Sequence, residues 1–425
     1  MIEDDQLIGI GPWPKGLDNV TEEVNLPGDR VREAENIAFT KTGHAQRRGG
    51  YVKRATTTDS DSLKAWNGEL VYVDNGALVR REVTSFTAND ITTVNNDLAM
   101  SYAETAGRLY FTNGIDSGYV GKDWVLHPWG VPNPVRQPEV TAGYAGSLVA
   151  GIYQVAVTFI ASDGEESGTG PCVQVTVGPG EAIQLDKIPQ TNDAEYVRIY
   201  LSQPNGDVPL WQTDLAMGIT SYRLYSLVRS GVELQTQFCA PMPKGQICRY
   251  WRGHVFVVKG NVAFWSEPLR YGLYRPLDNY TPPTRDRIVV FEPVEDGIWV
   301  VTEKQTWFYG GTNPAELTPV MVYPHGGTEG SGRQVDAKLF NAPSPGMVAY
   351  WWGERGGVLG LTGGQLQAVM EDQVAVDEYE YAATGIFEKD GIRQMITTVR
   401  QKGATSGFVA ADSAVAEVRR NGIVI

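Results

Sequence analysis

Two carboxylates held on either side of a glycosidic bond, one acid and one nucleophile or base, are enough to hydrolyse it. The chain offers Glu292, Glu295, Asp296, Glu371, Asp372, Asp377, Glu378 and Glu380 for that work, in two clusters. Trp351-Trp352 is a candidate sugar platform for such a site, although alternating aromatics in a strand more often fill a core. Acidic clusters are also what a solvated face looks like. Other chemistries do not find their residues. The chain has no phosphate-cradling G-x-x-x-x-G-K-[ST], no zinc-binding H-E-x-x-H and no G-x-S-x-G nucleophile elbow. His325-Gly326-Gly327 lacks the nucleophile that would make it an oxyanion loop, and Gly330-Ser331-Gly332 reads as a flexible loop. Asp59-Ser60-Asp61 starts a calcium pattern whose later ligands do not follow. The expectation is a chain that is not an enzyme and carries neither cofactor nor metal.

Composition narrows the elements that could position any of these groups. The 425 residues include 48 glycines, 24 prolines and 11 tryptophans. Long helical periodicity is absent, and only short segments such as Ser413 to Arg420 are helix candidates. That is the signature of an all-β protein with many turns. Cys172, Cys239 and Cys248 are an odd number without Cys-x-x-Cys spacing, and the 4 histidines are scattered, which speaks against a disulfide framework or a structural zinc. A reduced, cytosolic place of synthesis follows. The start, Met1-Ile2-Glu3-Asp4-Asp5-Gln6, lacks a basic and apolar leader, so no signal peptide is expected. No apolar run approaches the ~20 residues that span a bilayer, so no membrane insertion is expected. Net charge is −14, from 36 basic and 50 acidic residues. Basic tracts are limited to Arg47-Arg48 and Arg419-Arg420, which argues against ordinary nucleic-acid binding.

One pattern recurs. Val255 to Val258, the turn Lys259-Gly260-Asn261 and Val262 to Trp265 read as a β-hairpin. So do Leu70 to Val73 with Asp74-Asn75-Gly76 and Ala77 to Val79, and Ile298 to Val301 with Trp307 to Tyr309. Looser copies surround Gly107, Gly356-Gly357 and Gly391. Their spacing of roughly 40 to 50 residues predicts a β-propeller, with an irregular sandwich of unrelated hairpins as the rival. At ~45 residues per blade the repeats amount to roughly six blades. The sialidase box Ser-x-Asp-x-Gly-x-Thr-Trp does not occur in them.

Residues 133–242 break the repeat, between Pro132-Pro134 and Pro241-Pro243. Alternation at Tyr153, Val155, Val157 and Phe159, and again from Tyr196 to Ser202, predicts about seven strands of an inserted immunoglobulin or fibronectin type III-like sandwich. The expected organisation is therefore 1–60 as an N-terminal arm with closing strands, 61–132 and 243–425 as the two parts of the propeller, and 133–242 as the insertion. Gly9 to Gly16 must be irregular, and its Trp13 is a candidate partner anchor or a cover for the chain's own core. Ala34 to Thr40 and His44 to Tyr51 read as strands. Ile423 to Ile425 reads as a last strand that would pair with them and close a ring.

Leu26-Pro27-Gly28, Ala34-Glu35-Asn36 with its apolar strand, Gly43, and Arg47-Arg48 before Gly50-Tyr51 carry a resemblance. Trp265 to Pro268, Tyr271 to Tyr274, Pro293 to Gly297, Gly326 to Thr328, and Val348 to Gly357 extend it over most of the chain outside the insertion. In this order they resemble the packaged-DNA stabilisation (neck or tail-hub) proteins of short-tailed phages and the propeller part of tail-nozzle proteins. The resemblance implies a virion protein in a homo-oligomeric ring, taken as a hexamer, below the portal. Its partners would be a portal or adaptor protein, tail fibres or spikes, and DNA in passage. In such a ring the acidic cluster Asp372, Asp377, Glu378 and Glu380 is a candidate lining for the DNA channel. The rivals are a carbohydrate-active or carbohydrate-binding propeller and a cytosolic scaffold.

Overall fold

A computed structural model describes residues 12–34, 37–40, 42–47, 55–228, 231–344, 346–369, 379–389, 392–401, 415–419 and 422–424. Strands carry nearly all of the regular structure. Among the described residues there is no α-helix, only four short 3₁₀ turns. The chain forms two compact units, one of Asp59–Lys259 with Ala263–Thr281 and the other of Met1–Thr58, Gly260–Val262 and Pro282–Ile425.

Besides the two sheets of a sandwich and a two-stranded sheet of Ala240–Pro241 with Leu273–Tyr274, the first unit holds three small antiparallel sheets. Sheet I is Ser60–Trp66, Glu69–Asp74, Ala77–Glu82 and Ala88–Thr93. Sheet II is Ser101–Thr105, Arg108–Thr112, Ser117–Val120 and Leu126–His127. Sheet III is Ile247–Trp251, His254–Lys259 and Val262–Trp265. Each is a meander joined by tight turns whose sequences dictate the geometry. Asn75-Gly76 has φ of 50° and 79°, the pair of positive values that a two-residue type I′ turn requires. Gly260 takes φ 65° at the first position of its own two-residue turn.

These sheets pack face on face because their strands alternate. In Arg108–Thr112, Leu109 and Phe111 join Trp66, Val71, Val73 and Leu78 of sheet I in one buried cluster. The intervening Tyr110 points the other way, with Tyr119, toward Val255 and Val257 of sheet III. A strand with both neighbours covered this way has no solvent face, so both of its residue sets must be apolar.

The second unit repeats the scheme. Sheet IV is Ile288–Val294, Gly297–Thr302, Thr306–Gly310 and Thr318–Tyr323. Sheet V is Arg333–Asp336, Met347–Gly353, Gly356–Gly360 and Leu366–Ala368. Sheet VI is Tyr379–Lys389, Ile392–Gln401, Val415–Arg419 and Gly422–Val424. Ala349 and Trp351 of sheet V pack on Trp299 and Val301 of sheet IV. Val348 and Tyr350 face Met395 of sheet VI, and Trp352 meets Ala382, Val399 and Leu17 of the N-terminal segment.

Two local expectations are corrected. The helix candidate Ser413 to Arg420 contains a strand, Val415–Arg419, paired with Gln394–Thr398; its β-branched valines suit a pleated surface better than a helix. The last strand, Gly422–Val424, pairs with Val415–Arg419, and among the described residues no pairing joins it to the N-terminal strands. A hairpin closes a short loop, which is cheaper in chain entropy than pairing opposite ends of the molecule. Ile37–Phe39 and Ala45–Arg47 form their own two-stranded sheet, within the runs from which they were read; Glu35, Asn36 and Arg48 to Tyr51 of those runs lie outside the described residues.

Between sheets II and III the chain leaves for a sandwich of seven strands. Glu139–Leu148, Glu181–Asp186 and Tyr222–Leu224 form one sheet. Val173–Val177, Gly151–Ile160, Tyr196–Ser202 and Pro209–Ala216 form the other. One core lies between them, including Val155, Val157, Phe159, Ile183, Leu185, Val197, Ile199 and Leu201. The departing and returning segments lie side by side, with the Asn133 side-chain amide donating to the Cys239 carbonyl at 2.7 Å.

Candidate functional site

The densest polar constellation sits where the sandwich meets sheet II. It is built on the turn between Gly151–Ile160 and Val173–Val177, Ala161-Ser162-Asp163-Gly164-Glu165-Glu166. The turn is fixed by its own backbone. Ala161 N–H donates to the Glu165 carbonyl at 2.9 Å, Gly164 N–H to the Ala161 carbonyl at 3.0 Å, and Glu165 N–H to Asp163 Oδ1 at 3.1 Å.

Its three carboxylates then divide. Glu166 turns back onto the sandwich, accepting from Thr158 Oγ1 at 2.7 Å and from the Tyr200 hydroxyl at 2.6 Å. Arg198 stands 3.7 Å from Glu166 and grips Asp214 with two bonds of 2.8 Å. Asp163 and Glu165 go the other way, to Arg108 and Tyr119 of sheet II. The Arg108 guanidinium donates to Glu165, lies 3.6 Å from Asp163, and stacks 4.5 Å from the centre of the Tyr119 ring. The Tyr119 hydroxyl donates to Asp163. Tyr119 in turn lies flat against His127, 4.9 Å between ring centres at an interplanar angle of 13°.

The electrostatics follow from burial. Desolvation raises the Glu165 carboxyl above its ordinary pKa; Arg108 pulls it down, and Asp163 adds to the rise. Burial opposes the charge on Arg108, yet Tyr110 and Glu165 hold its pKa above the ordinary value. Desolvation pushes the Tyr110 phenol up to about 12. The groups are therefore arranged to hold two bodies together.

The residues singled out by sequence lie elsewhere. Trp13 is half-buried, edge-on to Phe39 at 6.3 Å between ring centres, with its N–H donating to the Gly43 carbonyl at 2.8 Å. Glu380 is exposed and 3.9 Å from Arg400. Asp372, Asp377, Glu378 and Glu371 lie outside the described residues. Glu292 is buried in sheet IV opposite Trp299, and Asp296 accepts from the Gly363 N–H at 2.6 Å. Trp351 and Trp352 are 1% and 2% exposed, so neither offers a platform to a sugar. Asp59 accepts from the Asn96 amide at 2.9 Å and Asp61 from Ser62, both within sheet I and its flanking loop. Among the described residues no group of three or more His, Cys, Asp or Glu is placed to hold a metal ion.

A shallow groove of about 640 Å³ at one end of the sandwich is lined in part by Val135, Arg136, Asp186, Gln190 and Ser221. Its carboxylate is committed to the fold: Asp186 Oδ1 accepts from Gln184 at 3.0 Å and from Ser221 at 2.7 Å. Among the described residues no helix is long and apolar enough to cross a membrane.

No protein-family model matches the chain, and no curated protein matches it. Solved structures resemble it distantly. The extracellular domain of a one-component system from B. thetaiotaomicron matches over 84% of this chain at 10% identity and a TM-score of 0.29. The chain spans 38% of that protein's length. The N-terminal domain of Nup159 matches over 80% of this chain and 73% of its own, at 8% identity and a TM-score of 0.28. PorZ, a surface component of the type-IX secretion system of Porphyromonas gingivalis, matches over 90% and 55%, at 9% identity and a TM-score of 0.22.

Proposed function

We propose that the chain is a structural virion protein of a tailed phage, a six-bladed propeller that assembles with copies of itself into a ring below the portal. The observation that supports the propeller most is the stacking of sheets. Sheets I, II and III share buried clusters in order within one unit, and sheets IV, V and VI do so within the other. Read as blades, three sheets in each unit would supply the six that the spacing of the hairpins predicts. The inserted sandwich has one sheet in the order third–second–fifth–sixth strand and the other in the order first–fourth–seventh. Two antiparallel sheets over one core support reading it as an immunoglobulin or fibronectin type III-like sandwich, with a strand order of its own.

The virion role rests on the resemblance of the flanking segments to neck, hub and nozzle proteins. In this role the sandwich would dock fibres or spikes, the propeller would meet a portal or adaptor protein, and the net charge of −14 would keep passing DNA from adhering. Negative-stain imaging of the purified protein tests the reading. Closed rings are expected. Monomers that hydrolyse or bind sugars would overturn it in favour of a carbohydrate-active propeller.

A further inference from the structure

We infer that Arg108, closing on Asp163 and Glu165, is a latch that fixes the sandwich against sheet II. The inference does not depend on the assembly proposed above, only on the geometry of the unit that contains both parts.

Two chain segments cross between the sandwich and the sheets, 131–138 and 231–240. They run side by side, tied by Asn133 to the Cys239 carbonyl at 2.7 Å, and Thr169 of the sandwich bridges to Gln237 of the second. Gly168 packs so closely there that a Cβ would stand 2.0 Å from the Cys239 carbonyl oxygen. The two adjacent crossings, with Gly168 and Thr169 seated on the second, hold the sandwich at one place. A contact made by residues of neither crossing resists rotation about that place. Arg108 and Tyr119 supply it from sheet II, and Asp163 and Glu165 receive it on the sandwich.

The receiving loop is rigid toward its own body. Glu166 holds it to Thr158 and Tyr200, and Ile160 bridges to Glu166. A loop clamped this way moves with the sandwich, so its grip on Arg108 constrains the whole domain. On the sheet side, Arg108 is pre-aligned by stacking on Tyr119, and Tyr119 by stacking on His127. The pair is partly desolvated, so removing Arg108 leaves two carboxylates facing a phenol with no cation.

Spin labels on exposed sites of the two bodies, at Asp90 and Asp207 in a Cys172→Ser background of the full chain, read the orientation as a distance distribution. The parent should give one narrow peak. R108A should lose it and give a broad distribution, with the sandwich amides still protected from hydrogen exchange. The swapped pair R108E with E165R should restore a narrow peak. Should R108A fold poorly, D163N, which alters one loop carboxylate, must broaden the distribution on its own. A peak equally narrow in R108A and D163N would overturn the latch.

Discussion

A carboxylate with no exposed surface depends on its hydrogen bonds, and Asp18 accepts four. They come from the N–H groups of Val20 and Thr21, the Thr21 hydroxyl at 2.8 Å and Arg30 at 2.5 Å. This one side chain organises an irregular segment rich in turn residues and seats Leu17 against Trp352. Burial alone would raise the Asp18 pKa; the bonds from Thr21 and Arg30 outweigh it and bring the value to about 2. A depressed carboxylate stabilises the folded state above its unfolded pKa of about 4 and loses that contribution as pH falls through about 2. D18N should therefore lower stability at neutral pH by about 1 kcal/mol or more. The gap to the parent should close between about pH 4 and pH 2 in denaturant titrations. Trp351, 5.6 Å from Trp299 between ring centres, is the opposite kind of residue, needed for volume. W351A should cost about 3–5 kcal/mol, read as a shifted urea midpoint with the slope unchanged.

At the scale of elements, the sandwich has a core of its own, and its chain ends meet at one place. Residues 133–242 expressed alone should melt cooperatively; a disordered circular-dichroism spectrum would reject those boundaries. Much of this level was legible in the sequence. Asn75-Gly76, Gly260-Asn261 and the alternation from Tyr153 to Phe159 each state a local rule that the fold obeys. Strand Ile247–Trp251 was not legible: Cys248-Arg249-Tyr250-Trp251 mixes charge and aromatic character, and its Arg249 reaches Ser101 at 3.0 Å. The junction was invisible for a different reason. Its residues are 44 and 57 positions apart in sequence, and nothing local marks Arg108 as the mate of Glu165. Trp13, read as either partner anchor or self-cover, lies against Phe39 and leaves part of its ring exposed, so both roles stay available to it.

For the whole molecule the proposed ring gives the acidity a use. An acidic lumen repels the duplex, and salt screens that repulsion. Changing Asp372, Asp377, Glu378 and Glu380 to lysine should leave assembly intact and slow DNA ejection at low salt. Normal ejection by particles that contain the altered ring would remove these four from the path. The insertion also has a consequence for how the protein is made. Sheet II ends at His127, and sheet III, which covers its Tyr110 and Tyr119, begins at Ile247. At roughly 5–20 residues per second, the ~120 residues between them take on the order of ten seconds to leave the ribosome. For that interval Tyr110 and Tyr119 lack the cover of Val255 and Val257 and have Trp129 and His127 against them, while the sandwich, complete in itself, can already be folded beside them. A compact insert shortens the loop that sheet III must close and keeps the nascent chain from trailing a long unfolded segment past an apolar surface.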